Sequence, residues 1–256
     1  MKYQPKQLRV FSTPDEVASR FAENLAEFIS RVVLKKGVVN IALSGGNTPR
    51  FLFKKLADKF GHTLPWDRVH FFWSDERCVP PEHEESNYQM TKDNLLKHIN
   101  IPFENIHRIH GDRDPEDEAR RYSSELKRLL PQENNWPVFD LIILGMGEDG
   151  HTASIFPNQM NLLQSDRICE VAIHPFSRQK RITVTGRVIN HALEVCFLVT
   201  GKNKAKRLKE IFLEEDISLN YPAAHINPED REIYWYLDEE AISEISWHPH
   251  LNQNYE

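Results

Sequence analysis

Asp149 and His151 stand two residues apart in the stretch GMGEDGH (145–151), directly after the apolar run FDLIIL (Phe139 to Leu144). A carboxylate and an imidazole at the end of a buried strand are candidate acid–base groups, because histidine titrates near neutral pH and can take a proton from an attacking water. The glycines Gly145, Gly147 and Gly150 also have the spacing of a dinucleotide-binding fingerprint, with Glu170 near the distance of its ribose-binding acid. Three features oppose that reading. Glu148 and Asp149 stand where a pyrophosphate needs positive potential, Pro157 arrives too early for a docking helix, and Glu170 falls at the start of a strand.

Three further loops carry residues fit for chemistry. SGGNTP (Ser44 to Pro49) follows the apolar run VVNIAL. Its small residues let backbone N–H groups approach an anion, its hydroxyls add donors, and a helix start supplies partial positive charge. No Gly-Lys-Ser/Thr follows, so it is not a P-loop, and the same residues also suit an ordinary tight turn. SDERCVPPEHEESNY (Ser74 to Tyr88) sets Asp75, Glu76 and Arg77 at a strand end, where they can hold a hydroxyl, a water or a phosphate. A solvated charged loop is the alternative, and Pro80-Pro81 suggests a shaped lip over a cleft. GKNKAKR (Gly201 to Arg207) offers a glycine and lysines at a strand-to-helix junction. Lys204 is the candidate for an inward role, whereas Lys206, Arg207 and Lys209 suit a basic helix face.

Positioning these loops requires strands and helices in alternation. Helical spacing of apolar residues predicts helices over 16–34, 48–60, 86–99, 114–130 and 203–215. Short apolar runs predict strands at 38–43, 68–73, 105–109, 139–144, 169–174, 181–185, 194–200 and 232–238. Such alternation implies an open α/β fold: a mainly parallel sheet with helices on both faces, its sites gathered at the C-terminal strand ends. No linker, repeat or low-complexity tract divides residues 1–256, so a single domain is expected.

The bulk properties narrow the function. A chain of 256 residues with 40% hydrophobic and 27% charged residues has the make-up of a globular protein with a sizeable core. Its net charge of −6 argues against a nucleic-acid footprint but allows a local basic pocket. No segment is apolar enough to span a membrane, and the N-terminal residues lack a signal-peptide pattern. Cys78, Cys169 and Cys196 are odd in number and widely spaced, as reduced core thiols would be. The expectation is a cytoplasmic protein. Nothing in the pattern selects between monomer and dimer, and HPH (His248 to His250) suits the surface better than a metal site.

Taken together, LSGGNTP, WSDER, LGMGEDGHTASIFP, RITVT and GKNKA resemble the 6-phosphogluconolactonase family, within the larger group that includes the glucosamine-6-phosphate isomerases. The likeness runs from about Phe11 to Ala241, and GEDGHTASIFP is its most specific piece. The resemblance implies the isomerase/lactonase type of Rossmann-like fold. It also implies hydrolysis of 6-phosphoglucono-1,5-lactone to 6-phosphogluconate in the oxidative pentose phosphate pathway, with no metal and no cofactor. Isomerases typically carry a glutamate of their proton relay where this protein has Phe156, which favours the lactonase. Members commonly continue RITLT with Leu-Pro; here Gly186 and Arg187 take those places.

On this footing His151 is expected to activate water for attack on the lactone carbonyl. Backbone N–H groups or Arg77 would meet the oxyanion, and Asp75 would orient the water or a hydroxyl. The phosphate would lie among Ser44, Gly45, Gly46, Asn47 and Thr48, with Arg181 and Lys204 as charged partners. Asp149, two residues from His151, is not expected to reach its ring and is assigned to substrate hydroxyls or loop geometry.

Overall fold

The computed structural model describes residues 7–245, and the HPH segment lies outside them. In sequence order the elements are β1 (Gln7–Phe11), α1 (Pro14–Lys36), β2 (Val39–Leu43), α2 (Asn47–Phe60), β3 (Val69–Trp73), β4 (Asp75–Arg77) and α3 (Asn87–Asn94). There follow β5 (Ile106–His107), α4 (Pro115–Leu129), β6 (Gln132–Glu133), β7 (Trp136–Pro137) and β8 (Leu141–Leu144). The last are β9 (Cys169–Ile173), β10 (Lys180–Val184), α5 (Gly186–Asn190), β11 (Glu194–Val199), α6 (Ala205–Phe212) and β12 (Glu232–Asp238).

Seven strands form one sheet in the order β1-β12-β11-β8-β2-β3-β5, and every neighbouring pair runs parallel. All residues of β2 and β8 are buried, which is why their sequences are near-continuous apolar runs rather than alternating ones. α1 packs on α2 and against β1, β2 and β12. Its start is fixed by Thr13, whose Oγ1 accepts from Glu16 N–H at 3.2 Å, and by Pro14 in the first turn. It stops at Gly37, which takes the left-handed conformation at φ 83°.

The expected strands and helices are present, with three corrections. β1, the β6–β7 pair and α5 are additions to them; β1 gains its strand character by pairing with β12, which lies more than two hundred residues later in the sequence. The segments 169–174 and 181–185 do not join the main sheet. β9 and β10 form a separate antiparallel sheet with β4, so the Asp75–Arg77 stretch, expected as loop, is a short strand. α3 ends at Asn94, eight residues beyond its N-cap Ser86, and a 3-10 turn covers Leu96–His98.

Strand order explains where a site must form. From β2 the polypeptide proceeds outward to β3 and β5, then returns to β8 on the other side of β2 and proceeds to β11 and β12. β2 and β8 are therefore neighbours whose onward connections diverge, and a crevice opens beyond their C-terminal ends. Among the described residues no helix is long and apolar enough to cross a membrane.

Candidate functional site

The crevice at this switch point is a cleft of about 180 Å³. Ser44, Gly45 and Gly46 after β2, Asp75 and Arg77 in β4, His151 after β8 and Arg181 in β10 all line it. Four of the sequence segments thus meet in one place. Asn47 and Thr48 stand one step outside its lining, in the first turn of α2, and Lys204, in the turn before α6, is also outside it.

The loop after β8 is built around its histidine. Gly147 N–H bonds His151 C=O at 2.9 Å, Gly150 N–H bonds Gly147 C=O at 3.1 Å, and Gly150 turns the backbone with φ 82°. A Cβ on Gly147 would lie 2.1 Å from His151 Nδ1, so the imidazole occupies the space that glycine leaves. The turn folds residue 149 back over residue 151, and Asp149 Oδ1 lies 2.6 Å from His151 Nδ1. This corrects the expectation that Asp149 falls short of the ring: the left-handed Gly150 closes the gap that an extended backbone would leave. Burial pushes the Asp149 carboxyl up, but bonds from the His151 ring and N–H outweigh it and hold its pKa below the ordinary value. An ionised carboxylate only accepts, so His151 Nδ1 carries a proton, and in the neutral ring Nε2 is the acceptor.

The wall opposite is cationic. In the antiparallel pairing of β4 with β10, Arg77 and Arg181 stand directly across from one another. The Arg77 guanidinium donates through Nη1 to Glu85 C=O. The Nε atoms of both arginines are buried with no partner. Like charges opposite one another in a sheet are destabilising, and two orphaned donors add to that cost, so this wall is suited to an anion.

Asp75 sits behind the arginines and is almost wholly buried. Its Oδ2 accepts from Ser154 Oγ at 2.6 Å, and Asn87 Nδ2 donates to its backbone C=O at 2.9 Å. Next along, Glu76 points away from the cleft and accepts from the N–H groups of Asn87 and Tyr88, each at 2.8 Å. It also accepts from Ser86 Oγ at 3.0 Å. Burial raises its pKa, against the pull of those backbone bonds. Glu76 therefore anchors the long loop back onto β4.

Two expectations change in detail. The Ser44 hydroxyl is turned inward, donating to Ile143 C=O at 2.7 Å and lying 2.9 Å from Ser74 Oγ. What this position presents to the cleft is therefore backbone. Thr48 Oγ1 likewise pairs with Thr200 Oγ1 at 2.9 Å, tying the β2 loop to the end of β11. Gly186 and Arg187, the departure from the family pair, lie away from the cleft lining: a Cβ on Gly186 would lie 2.6 Å from Leu163 O, and Arg187 pairs with Asp166 at 2.9 Å.

Asn87 was missed by reading the sequence. It lines the cleft, and its Oδ1 lies 1.8 Å from where a Gly45 Cβ would be, so it packs into the space of that glycine. Its only trace in the sequence is its place at the end of the charged loop. Phe156 was read for what it lacks; the structure gives it a role in contact. It is fully buried, with His151 at a centroid distance of 4.8 Å and the Arg181 guanidinium 5.6 Å from its centre.

Fold and site define an open parallel α/β protein with a carboxylate–imidazole pair facing two arginines across a strand-end cleft. A profile of the family described as glucosamine-6-phosphate isomerases/6-phosphogluconolactonase matches residues 12–235, and the chain belongs to that family of enzymes. The 6-phosphogluconolactonase of Haemophilus influenzae is 46% identical over 205 residues, which cover 80% of this chain and 86% of that protein. The crystal structure of a devB protein matches with a TM-score of 0.88 at 39% identity, covering 94% of this chain and 99% of that one. The three-dimensional structure of the 6-phosphogluconolactonase from Trypanosoma brucei matches with a TM-score of 0.86 at 26% identity, again over 94% and 99%.

Proposed function

We propose that this protein is a single-domain 6-phosphogluconolactonase, which hydrolyses 6-phosphoglucono-1,5-lactone to 6-phosphogluconate. The observation that carries the reading is the 2.6 Å Asp149–His151 bond, made in the cleft that also holds Arg77 and Arg181. The relatives named above support the substrate.

In this mechanism Asp149 holds His151 in the Nδ1–H tautomer and balances the imidazolium that forms. His151 Nε2 takes a proton from water as the oxygen attacks the C1 carbonyl. The oxyanion is met by Arg77 or by cleft N–H groups; a well-placed donor is worth about 3–4 kcal/mol. Collapse of the tetrahedral intermediate breaks the bond to the ring oxygen, which leaves with the proton carried by His151.

The phosphate is assigned to the N–H groups of Gly45, Gly46, Asn47 and Thr48, with Ser44 contributing backbone and Arg181 and Lys204 contributing charge. No side chain caps the start of α2, so its first amides are free to meet an anion. Burial lowers the Lys204 pKa, although Glu148 and Asp149 pull it up. Asp75, held by Ser154 and Asn87, positions the arginines and receives a substrate hydroxyl.

Acid release from freshly made 6-phosphogluconolactone tests the proposal. His151→Ala is expected to lower kcat roughly 10²–10⁴-fold with little change in KM, whereas Lys204→Ala mainly raises KM. A folded wild type no faster than buffer sinks the lactonase reading. Ammonia release from glucosamine 6-phosphate, measured in parallel, is expected to be absent because Phe156 cannot relay a proton.

A further inference from the structure

A second histidine stands beside the cleft, outside its immediate lining, and the mechanism above has no use for it. His174 follows β9 at the head of the β9–β10 hairpin, where its N–H bonds Gln179 C=O at 2.9 Å and its C=O accepts from Arg178 N–H at 3.0 Å. Its ring meets Phe156 edge to face, with centroids 5.2 Å apart and planes at 82°. Since Phe156 also contacts His151 and Arg181, one buried phenyl ring gathers two imidazoles and a guanidinium around itself.

The protonation of His174 follows from its neighbours. Ser177 N–H donates to Nδ1 at 3.1 Å, so Nδ1 is an acceptor and the proton of the neutral ring resides on Nε2. Burial favours that neutral ring, and so do the nearby Arg181, Arg77 and, when protonated, His151, against the pull of Asp149. All four of those groups belong to the cleft wall or its catalytic loop. Nδ1 is turned back to the hairpin, while Nε2–H, on the opposite side of the ring, has no hydrogen-bond partner among the described residues.

We propose that His174 is a substrate-contacting residue, its Nε2–H donating to a hydroxyl or ring oxygen of the sugar held in the cleft. The charged side-chain donors of the cleft, Arg77 and Arg181, match the charged parts of the substrate. A neutral donor suits a neutral oxygen, and it avoids adding a third positive charge beside the opposed Arg77 and Arg181. The inference rests on the lactonase reading and adds a binding contact to it.

Two substitutions separate hydrogen bonding from packing. Glutamine can place an N–H near the position of Nε2 but makes a poor edge against Phe156. Phenylalanine keeps the edge-to-face packing and loses the donor. In steady-state lactone hydrolysis, His174→Phe is expected to raise KM about five- to tenfold, the effect of one neutral hydrogen bond, with kcat within about twofold. His174→Gln is expected to stay within about threefold of wild type in KM. The same order is expected when 6-phosphogluconate is used to protect each variant against thermal unfolding. Active wild type with His174→Phe unchanged, or with His174→Gln the more impaired, overturns this inference alone. Wild type that fails to open the lactone overturns the parent reading and this one with it.

Discussion

On the proposed mechanism, Gly147 is a residue without a side group that governs the chemistry. Its φ is not in the left-handed region, so alanine there is not strained by its backbone. The obstacle is the His151 ring, which occupies the place of the missing methyl. Gly147→Ala should push the imidazole off Asp149 while the strand beneath it stays intact. The expected outcome is a fall in kcat approaching that of His151→Ala, roughly 10²-fold or more, with a melting temperature close to wild type. A kcat near wild type would mean that the Asp149–His151 geometry does not govern the rate.

At the scale of elements, the loop after β8 is held from behind by the segments that precede and follow α6. Ala223 N–H bonds Gly150 C=O at 3.0 Å, and Asn203 Nδ2 donates to Glu148 Oε1 at 2.6 Å. Tyr221 presses its ring on Gly150 and donates its hydroxyl to Glu210 at 2.7 Å. Gly150→Ala combines a positive φ with a Cβ only 2.6 Å from Tyr221 Cβ. It should cost about 1–3 kcal/mol of stability and lower kcat as well, read from a urea melt and a rate assay. A Gly150→Ala variant as stable as wild type would show that the loop tolerates another path. Gly147 and Gly150 thus predict different signatures: rate alone for the first, rate and stability for the second.

At the scale of the whole molecule, the cleft joins the ends of β2 and β8 to the small sheet, so a ligand in it ties separate parts of the fold together. Anything that binds only the folded state stabilises it. With 6-phosphogluconate at a hundred times its Kd the gain is about 2.7 kcal/mol, seen as a raised melting temperature. Replacing Arg181 by alanine should remove most of that gain at the same ligand concentration. A second whole-molecule property lies at the far edge of the sheet. There Glu125 accepts from Arg121 at 2.7 Å and lies 3.6 Å from His107 Nδ1, while His107 Nε2 lies 3.0 Å from His70 Nδ1. Burial raises the Glu125 pKa, but His107 and Arg121 prevail and bring it to about 2. A depressed carboxyl contributes stability that is complete above its unfolded value of about 4.5. That contribution is lost as pH falls toward 2. Glu125→Gln should therefore be less stable than wild type at neutral pH, and the gap should close across that window. Urea midpoints taken from pH 7 downward check the sign; a gap that widens on acidification would reverse the assignment.

What could be read from the sequence itself was whatever local pattern controls. Apolar runs such as VNIAL and LIIL mark fully buried strands, and four strand-end loops carry the candidate groups. The alternation of strand and helix was enough for an open parallel sheet, and that in turn placed the loops at one edge. Contacts between distant segments were not legible. The strand character of Asp75–Arg77 comes from pairing with β10 a hundred residues later, and the opposition of Arg77 to Arg181 follows from that register. Asn87 reaches the cleft because Gly45 leaves room for it. Even the two-residue span from Asp149 to His151 was misjudged, since a single left-handed glycine reverses the direction in which the side groups point. Local sequence determines which residues are strand, helix or loop through burial and backbone preference. Only the tertiary structure decides which side groups meet, because strand register and the sign of one φ angle depend on partners that the local sequence does not contain.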